Sequence, residues 1–199
     1  NLQIAEQTAW LESELASTEA QRAPFRVVSF HKPPYTDLWD SSAYIGEAFV
    51  RDNWVPLFDQ YNVDVVINGH THAYLRGSRN DVMYMIVGGA GGVIDTFTSY
   101  VWGFFTVKQS VHHYGVMEVD GYTLTWKSYN ANDVLFDSYQ LTSRTPFCPA
   151  DFDGDGGASI PSGGRDCADL DAFVNPFATD LPGDGVDRDC DGLDGEDND

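Results

Sequence analysis

The stretch Val63-Asp64-Val65-Val66-Ile67-Asn68-Gly69-His70-Thr71-His72 decides how this sequence folds. Its apolar residues are β-branched, the composition of a buried strand, and they run without a break into a Gly and two histidines. Two histidines two residues apart at a strand end have the smallest spacing that lets both rings point into one cavity. Imidazole is the commonest neutral ligand for Zn, Fe and Mn. Taken alone, the pair fits a solvated turn as well as a metal site, so its surroundings have to be read with it.

Outward from this stretch the pattern recurs. Residues 25–30 read as a buried strand that runs directly into His31. Lys32-Pro33-Pro34-Tyr35 follows, and must be a loop because two prolines cannot occupy a strand or helix interior. Residues 82–87 read as a third strand, ending in Gly88-Gly89-Ala90-Gly91-Gly92. Sites in α/β sheets form where loops leave the carboxyl ends of strands, and here strands repeatedly stop at loops rich in His or Gly. Residues 2–17 read as an amphipathic helix with Ile4, Trp10, Leu11 and Leu15 on or near one face, broken by Arg22-Ala23-Pro24. A second helix is predicted over residues 43–61, with Pro56 setting a kink or boundary inside it. From about residue 106 the pattern becomes an antiparallel meander, with strands at 114–119, 123–129 and 134–141.

Charge narrows the partners. The 199 residues carry 31 acidic and 11 basic side chains, a formal net charge of −20. Binding nucleic acid needs clustered Lys and Arg, so nucleic acid is excluded, and anionic membrane surfaces with it. No run of 18 apolar residues reads as a transmembrane helix. Cations are the natural partners. The charge is concentrated: from Cys148 onward there are 15 acidic residues against Arg165 and Arg188, a net of −13 in 52 residues. Cys148, Cys167 and Cys190 all lie there, in a segment too poor in apolar residues to build a core, which therefore needs a disulfide or a metal to fold. An oxidising, extracytoplasmic setting follows, secreted or at the cell surface, with one cysteine left over. The chain divides into a main domain, 1–145, and an Asp/Cys-rich module, 146–199.

The motifs of the main domain resemble the calcineurin-like metallophosphoesterases, and purple acid phosphatases among them. Val28-Ser29-Phe30-His31 fits V-x-x-H and Gly69-His70-Thr71-His72 fits G-H-x-H. His31-Lys32-Pro33-Pro34-Tyr35 resembles the H-x-P-x-Y extension, while Gln7, Trp10, Leu11 and Leu15 resemble the helix that precedes it. The lead from Tyr61 to Val66, Tyr74, and the glycines from Gly88 to Gly92 also fit, so the resemblance covers roughly residues 1–142. It implies the second half of an α/β/β/α sandwich and the hydrolysis of a phosphoester substrate at a binuclear transition-metal centre (Fe, Zn or Mn). His31 and His70 would ligate one metal and His72 the other. The family's remaining ligands belong to earlier motifs, none of which occurs before His31. The resemblance therefore implies a chain that is one part of the catalytic domain, a partner that supplies the N-terminal half, or a lost activity. Loop residues Lys32 and Tyr35 are candidates for touching the phosphate, and His112 and His113 are read as structural.

In the module, Asp151, Asp153 and Asp155 with Gly156 occupy positions 1, 3, 5 and 6 of a calcium loop, where alternate oxygens converge and Gly permits the tight turn. Position 12 is Ser162, so a complete EF-hand is not formed. Asp187, Asp189 and Asp191 with Gly192 repeat the pattern, and Asp166, Asp169 and Asp171 lie between. This resembles thrombospondin type 3 and related Asp/Cys-rich repeats, and the resemblance implies calcium ions with a Cys167–Cys190 disulfide. The alternative function is a structural or adhesive surface protein, in which a phosphatase-like scaffold and calcium modules join neighbouring subunits.

Overall fold

The computed structural model describes residues 2–39, 43–144, 153–160, 164–193 and 195. The chain forms two compact units, Asn1–Thr145 and Pro146–Asp199. The first opens with helices α1 (Leu2–Ala16) and α2 (Thr18–Arg22), strands β1 (Val27–Ser29) and β2 (Leu38–Trp39), and helices α3 (Ala48–Asn53) and α4 (Val55–Gln60). Eight strands follow: β3 (Val65–Asn68), β4 (Tyr74–Arg79), β5 (Val82–Val87), β6 (Phe97–Ser99), β7 (Phe105–Gln109), β8 (His113–Asp120), β9 (Thr123–Asn130) and β10 (Leu135–Thr142). The fold is mixed α/β, as the sequence reading expects.

Three sheets result: a five-stranded one in the order β1-β3-β5-β4-β7, a three-stranded one in the order β10-β9-β8, and the β2-β6 pair. In the large sheet β1, β3 and β5 run parallel, whereas β4 is antiparallel to β5 and β7. Alternation along its strands separates two cores. Val66, Leu75, Val82, Tyr84 and Ile86 face Leu11 and Leu15 of α1 and Val55, Leu57 and Phe58 of α4. Val65, Tyr74, Met83 and Met85 face the other way, onto Leu124 and Trp126 of β9. The order of layers is helices, large sheet, small sheet.

Several local expectations change. Trp10 stands one position off the Leu11–Leu15 stripe and is 63% exposed, so it is not a core residue. The predicted helix over 43–61 becomes two short helices, α3 closing when the Trp54 amide donates to the Val50 carbonyl and α4 starting with Pro56 in its first turn. It cannot extend back to residue 43, because Gly46 has φ +105° and an added Cβ would lie 2.2 Å from the Pro34 carbonyl oxygen. Strand β4 was not expected, since Arg76, Gly77 and Arg79 hide its period. Its hairpin signal is the two-residue turn Asn80-Asp81, both residues at positive φ (51° and 63°), as a type I′ connection requires. Tyr35 is 3% exposed and packs edge-on against Tyr84, Trp102 and Phe104, a core position rather than one for touching substrate.

His113 is 5% exposed, between the rings of Tyr74 and Phe136 at 5.3 and 6.1 Å. Its Nδ1 lies 2.8 Å from the Val111 carbonyl oxygen, and its buried Nε2 has no hydrogen-bond partner among the described residues. Burial lowers its pKa; the Val111 carbonyl opposes this, and the neighbouring His112 adds to the lowering. The unfolded chain therefore takes up the proton more readily than the folded one, so stability should decline as pH falls through the ordinary histidine range. His113→Leu is expected to flatten the melting-temperature slope between about pH 7 and pH 5. Equal slopes in both proteins would exclude His113 as its source.

The second unit has one isolated backbone bridge, Ser159 to Asp166, and otherwise turns, among its described residues. Leu170, Phe173 and Phe177 are 85%, 81% and 77% exposed, so apolar packing does not hold it together. A Cys167–Cys190 disulfide and side-chain-to-backbone hydrogen bonds do. Cys148 lies outside the described residues.

Candidate metal centres

His31 follows β1 and His70 follows β3, two neighbouring parallel strands, so both reach the same edge of the sheet. Backbone bonds fix the two loops together: the Gly69 amide donates to the His31 carbonyl at 3.0 Å, and the Asn68 side chain donates to the Phe30 carbonyl at 2.9 Å. The imidazoles meet edge-to-face with centroids 5.3 Å apart. His70 has φ 67°, a left-handed conformation that costs a non-glycine residue on the order of 1–3 kcal/mol and concentrates at functional sites. Trp39 and Tyr44 surround its ring at 6.1 and 5.1 Å. Burial, then the positive fields of His31 and Lys32, lower the His70 pKa against the opposing pull of Glu47. That favours the neutral ring, the form that ligates metals.

His72 is held by a different device. Its amide donates to the Asp95 carboxylate at 2.7 Å, and its carbonyl accepts from the Asp95 amide at 3.1 Å. Nδ1 lies 2.9 Å from the Val93 carbonyl oxygen. A carbonyl only accepts, so the proton sits on Nδ1 and the Nε2 lone pair is left for a metal. The glycine run makes room for the ring: a Cβ on Gly92 would lie 2.6 Å from it. Sequence reading did not find Val93 and Asp95, which lie more than 20 residues away and belong to no motif. Lys32, on the same loop as His31, pairs with Glu47 at 3.1 Å.

Among the described residues, two groups of three acidic side chains bring ligand atoms within 4.8 Å of one another, and the histidines form no such group. The first is Asp153, Asp155 and Asp166. Asp166 is 2% exposed; its Oδ1 accepts the Ala168 amide at 2.9 Å, and its buried Oδ2 has no hydrogen-bond partner among the described residues. Asp155 likewise turns one oxygen to the Gly157 amide and leaves a buried Oδ2 without a partner among the described residues. The second group is Asp180, Asp187 and Asp189. Asp180, which the sequence reading missed because it precedes the repeat by seven residues, is 4% exposed. Its oxygens take the amides of Arg188, Leu181 and Gly195, which hold its pKa down, together with the Arg188 charge. Burial and the charges of Asp191, Asp180 and Asp187 push Asp189 up, against the Asp191 amide. Asp191 donates its amide to Asp187 and Asp189, while Asp171 caps the Phe173 amide. Asp169 is half-buried and in neither group. Asp151 lies outside the described residues.

Residues 2–74 match the family model of the calcineurin-like phosphoesterases. A purple acid phosphatase of Glycine max is 39% identical over 42% of this chain and 18% of its own length. Among solved structures, a purple acid phosphatase from yellow lupin seeds aligns with TM-score 0.62 at 20% identity, covering 69% of this chain and 28% of that one. GAP50, described as the anchor in the inner membrane complex of Plasmodium, aligns with the same score and identity over 73% of this chain and 46% of that one. These similarities show a metallophosphoesterase-like fold. The chain spans less than a third of the length of the first curated relatives it matches.

Proposed function

We propose that this chain forms part of an extracytoplasmic, metal-dependent phosphoester hydrolase of the acid phosphatase type. The observation that carries the reading is the placement of His31 and His70, ring against ring, at the carboxyl ends of adjacent parallel strands, with His72 on the same loop as His70 and its Nδ1 turned to the Val93 carbonyl. His31 and His70 would hold one ion and His72 Nε2 the other. A bound pair of Fe, Zn or Mn ions supplies Lewis acidity, lowers the pKa of water and offsets charge on the attacking and leaving oxygens. Three neutral imidazoles bring no negative charge to balance two cations, so carboxylate ligands have to come from elsewhere in the longer protein or from a neighbouring subunit. Among the described residues β1, which delivers His31, is an outer strand with Val27 37% exposed, so its outer edge offers a place for a further strand.

The test is metal analysis of the purified full-length protein alongside hydrolysis of p-nitrophenyl phosphate. Expected are bound transition metal and an activity abolished by chelation and restored by Fe, Zn or Mn, with residues 1–199 alone inactive. A metal-free full-length protein that hydrolyses no phosphoester would favour the scaffold or adhesive reading.

For the second unit we read the acidic clusters as calcium sites. The buried Oδ2 atoms of Asp155 and Asp166 support this for the first cluster, because a buried anionic oxygen without a partner is costly unless a cation meets it. The disulfide agrees with secretion or surface exposure.

A further inference from the structure

We propose that the Cys167–Cys190 disulfide sets the cation affinity of the Asp153–Asp155–Asp166 cluster, so that the module's binding is redox-controlled; this rests on reading that cluster as a calcium site. The decisive feature is where the bridge is placed. Cys167 is the residue after Asp166, the one member of the cluster that comes from a separate loop. Cys190 is the residue after Asp189, in the second acidic group. A single covalent bond therefore joins the backbones that carry the two groups.

The two ends differ in what they need. At the first cluster, buried oxygens of Asp155 and Asp166 face no donor among the described residues, so without a cation three like charges within 4.8 Å repel one another. Asp166 is kept in place there by short-range backbone bonds, its amide to the Ala158 carbonyl at 2.9 Å and its carbonyl to the Ile160 amide at 3.3 Å. At the other end, Asp180 is already satisfied by three backbone amides, and Arg188 pairs with Asp184 at 2.6 Å. The Asn175 amide also donates to the Arg188 carbonyl at 2.8 Å. The segment around Cys190 is thus tied down by backbone bonds of its own, independently of the first cluster. The disulfide hangs Asp166 from that segment against the repulsion of its own cluster.

Reduction by a dithiol such as dithiothreitol breaks the S–S bond, puts one proton on each sulfur and closes the reductant into its cyclic disulfide. Asp166 is then retained by the backbone bonds alone, and the freed loop, with Cys167 and Cys190 separated by 23 residues, regains the entropy that the crosslink removed. Binding becomes weaker because the ion has to order the loop as well. Linkage makes the coupling reciprocal: calcium must stabilise the disulfide by the factor by which the disulfide improves calcium binding.

Two measurements on the full chain test this. Calorimetric calcium titration of wild type against the Cys167→Ser/Cys190→Ser variant is expected to show Kd weakened roughly tenfold, within the 5–150-fold range of coupled sites. In wild type, the midpoint of a reduced-to-oxidised dithiothreitol titration is expected to move toward reduced dithiothreitol by the same factor when calcium saturates both forms. Equal Kd values at the first cluster and an unmoved midpoint, with binding at that cluster still abolished by Asp166→Asn, would overturn the coupling while leaving the calcium reading intact. No binding heat from the oxidised chain would instead remove the calcium reading, and the proposal with it.

Discussion

His70→Asn in the full-length protein is expected to lower kcat for phosphoester hydrolysis by at least about two orders of magnitude, with loss of bound metal. The estimate follows from the several kcal/mol that metal ions contribute to such a transition state, at about 1.4 kcal/mol per decade of rate. Asn is the informative replacement because it tolerates the left-handed backbone that His70 adopts at φ 67°, so the turn survives while the imidazole is lost. His31→Ala should have a comparable effect. Since the two rings lie 5.3 Å apart and are proposed to share one ion, the double variant should be little worse than either single one. His72→Ala should remove the other ion. The measurements are kcat and metal content per protein; unchanged metal content with kcat within about threefold of wild type would exclude the histidines as ligands.

Asp137→Ala should produce the largest loss of stability. Asp137 on β10 accepts the Tyr74 hydroxyl at 2.6 Å and, through both oxygens, the guanidinium of Arg76 on β4 at 2.6 and 2.8 Å. Its side chain is 7% exposed and that of Arg76 13%, so this pair joins the small sheet to the large one inside the core. Removing one partner of a buried pair leaves the other charge uncompensated, at a cost of about 3–5 kcal/mol. For a chain of this size that is a fall in melting temperature of roughly 10 °C. Burial raises the Asp137 pKa, but the hydrogen bonds from Arg76 and Tyr74 and the Arg76 charge outweigh it, and the net shift is downward. The contribution is therefore complete at neutral pH and is lost only as pH falls below the ordinary carboxylate range. A destabilisation under about 1 kcal/mol would place the pair among ordinary surface ion pairs.

By itself, the sequence determined the elements whose signal is local. The β-branched run before Gly69, the apolar run before His31 and the alternation over the meander each carry their period within one segment, so β1, β3, β5 and β8 to β10 were legible, with ends shifted by a few residues. The spacing of Asp153 and Asp155, and of Asp187 and Asp189, was legible for the same reason. Only the tertiary structure decided what depends on sheet order and chain return. It made β1 and β3 neighbours, so that His31 and His70 meet across 39 positions of sequence. It inserted β4, whose charged and glycine residues mask its period, and so gave Arg76 a carboxylate 61 residues away. It fixed the His72 tautomer through a carbonyl in a distant glycine-rich loop, and it brought Asp180 into an acidic cluster that no motif assigns to it. Periodicity tells a residue which face it occupies. Which residue stands opposite is settled when the sheets stack and the loops close, by contacts summed over the whole core.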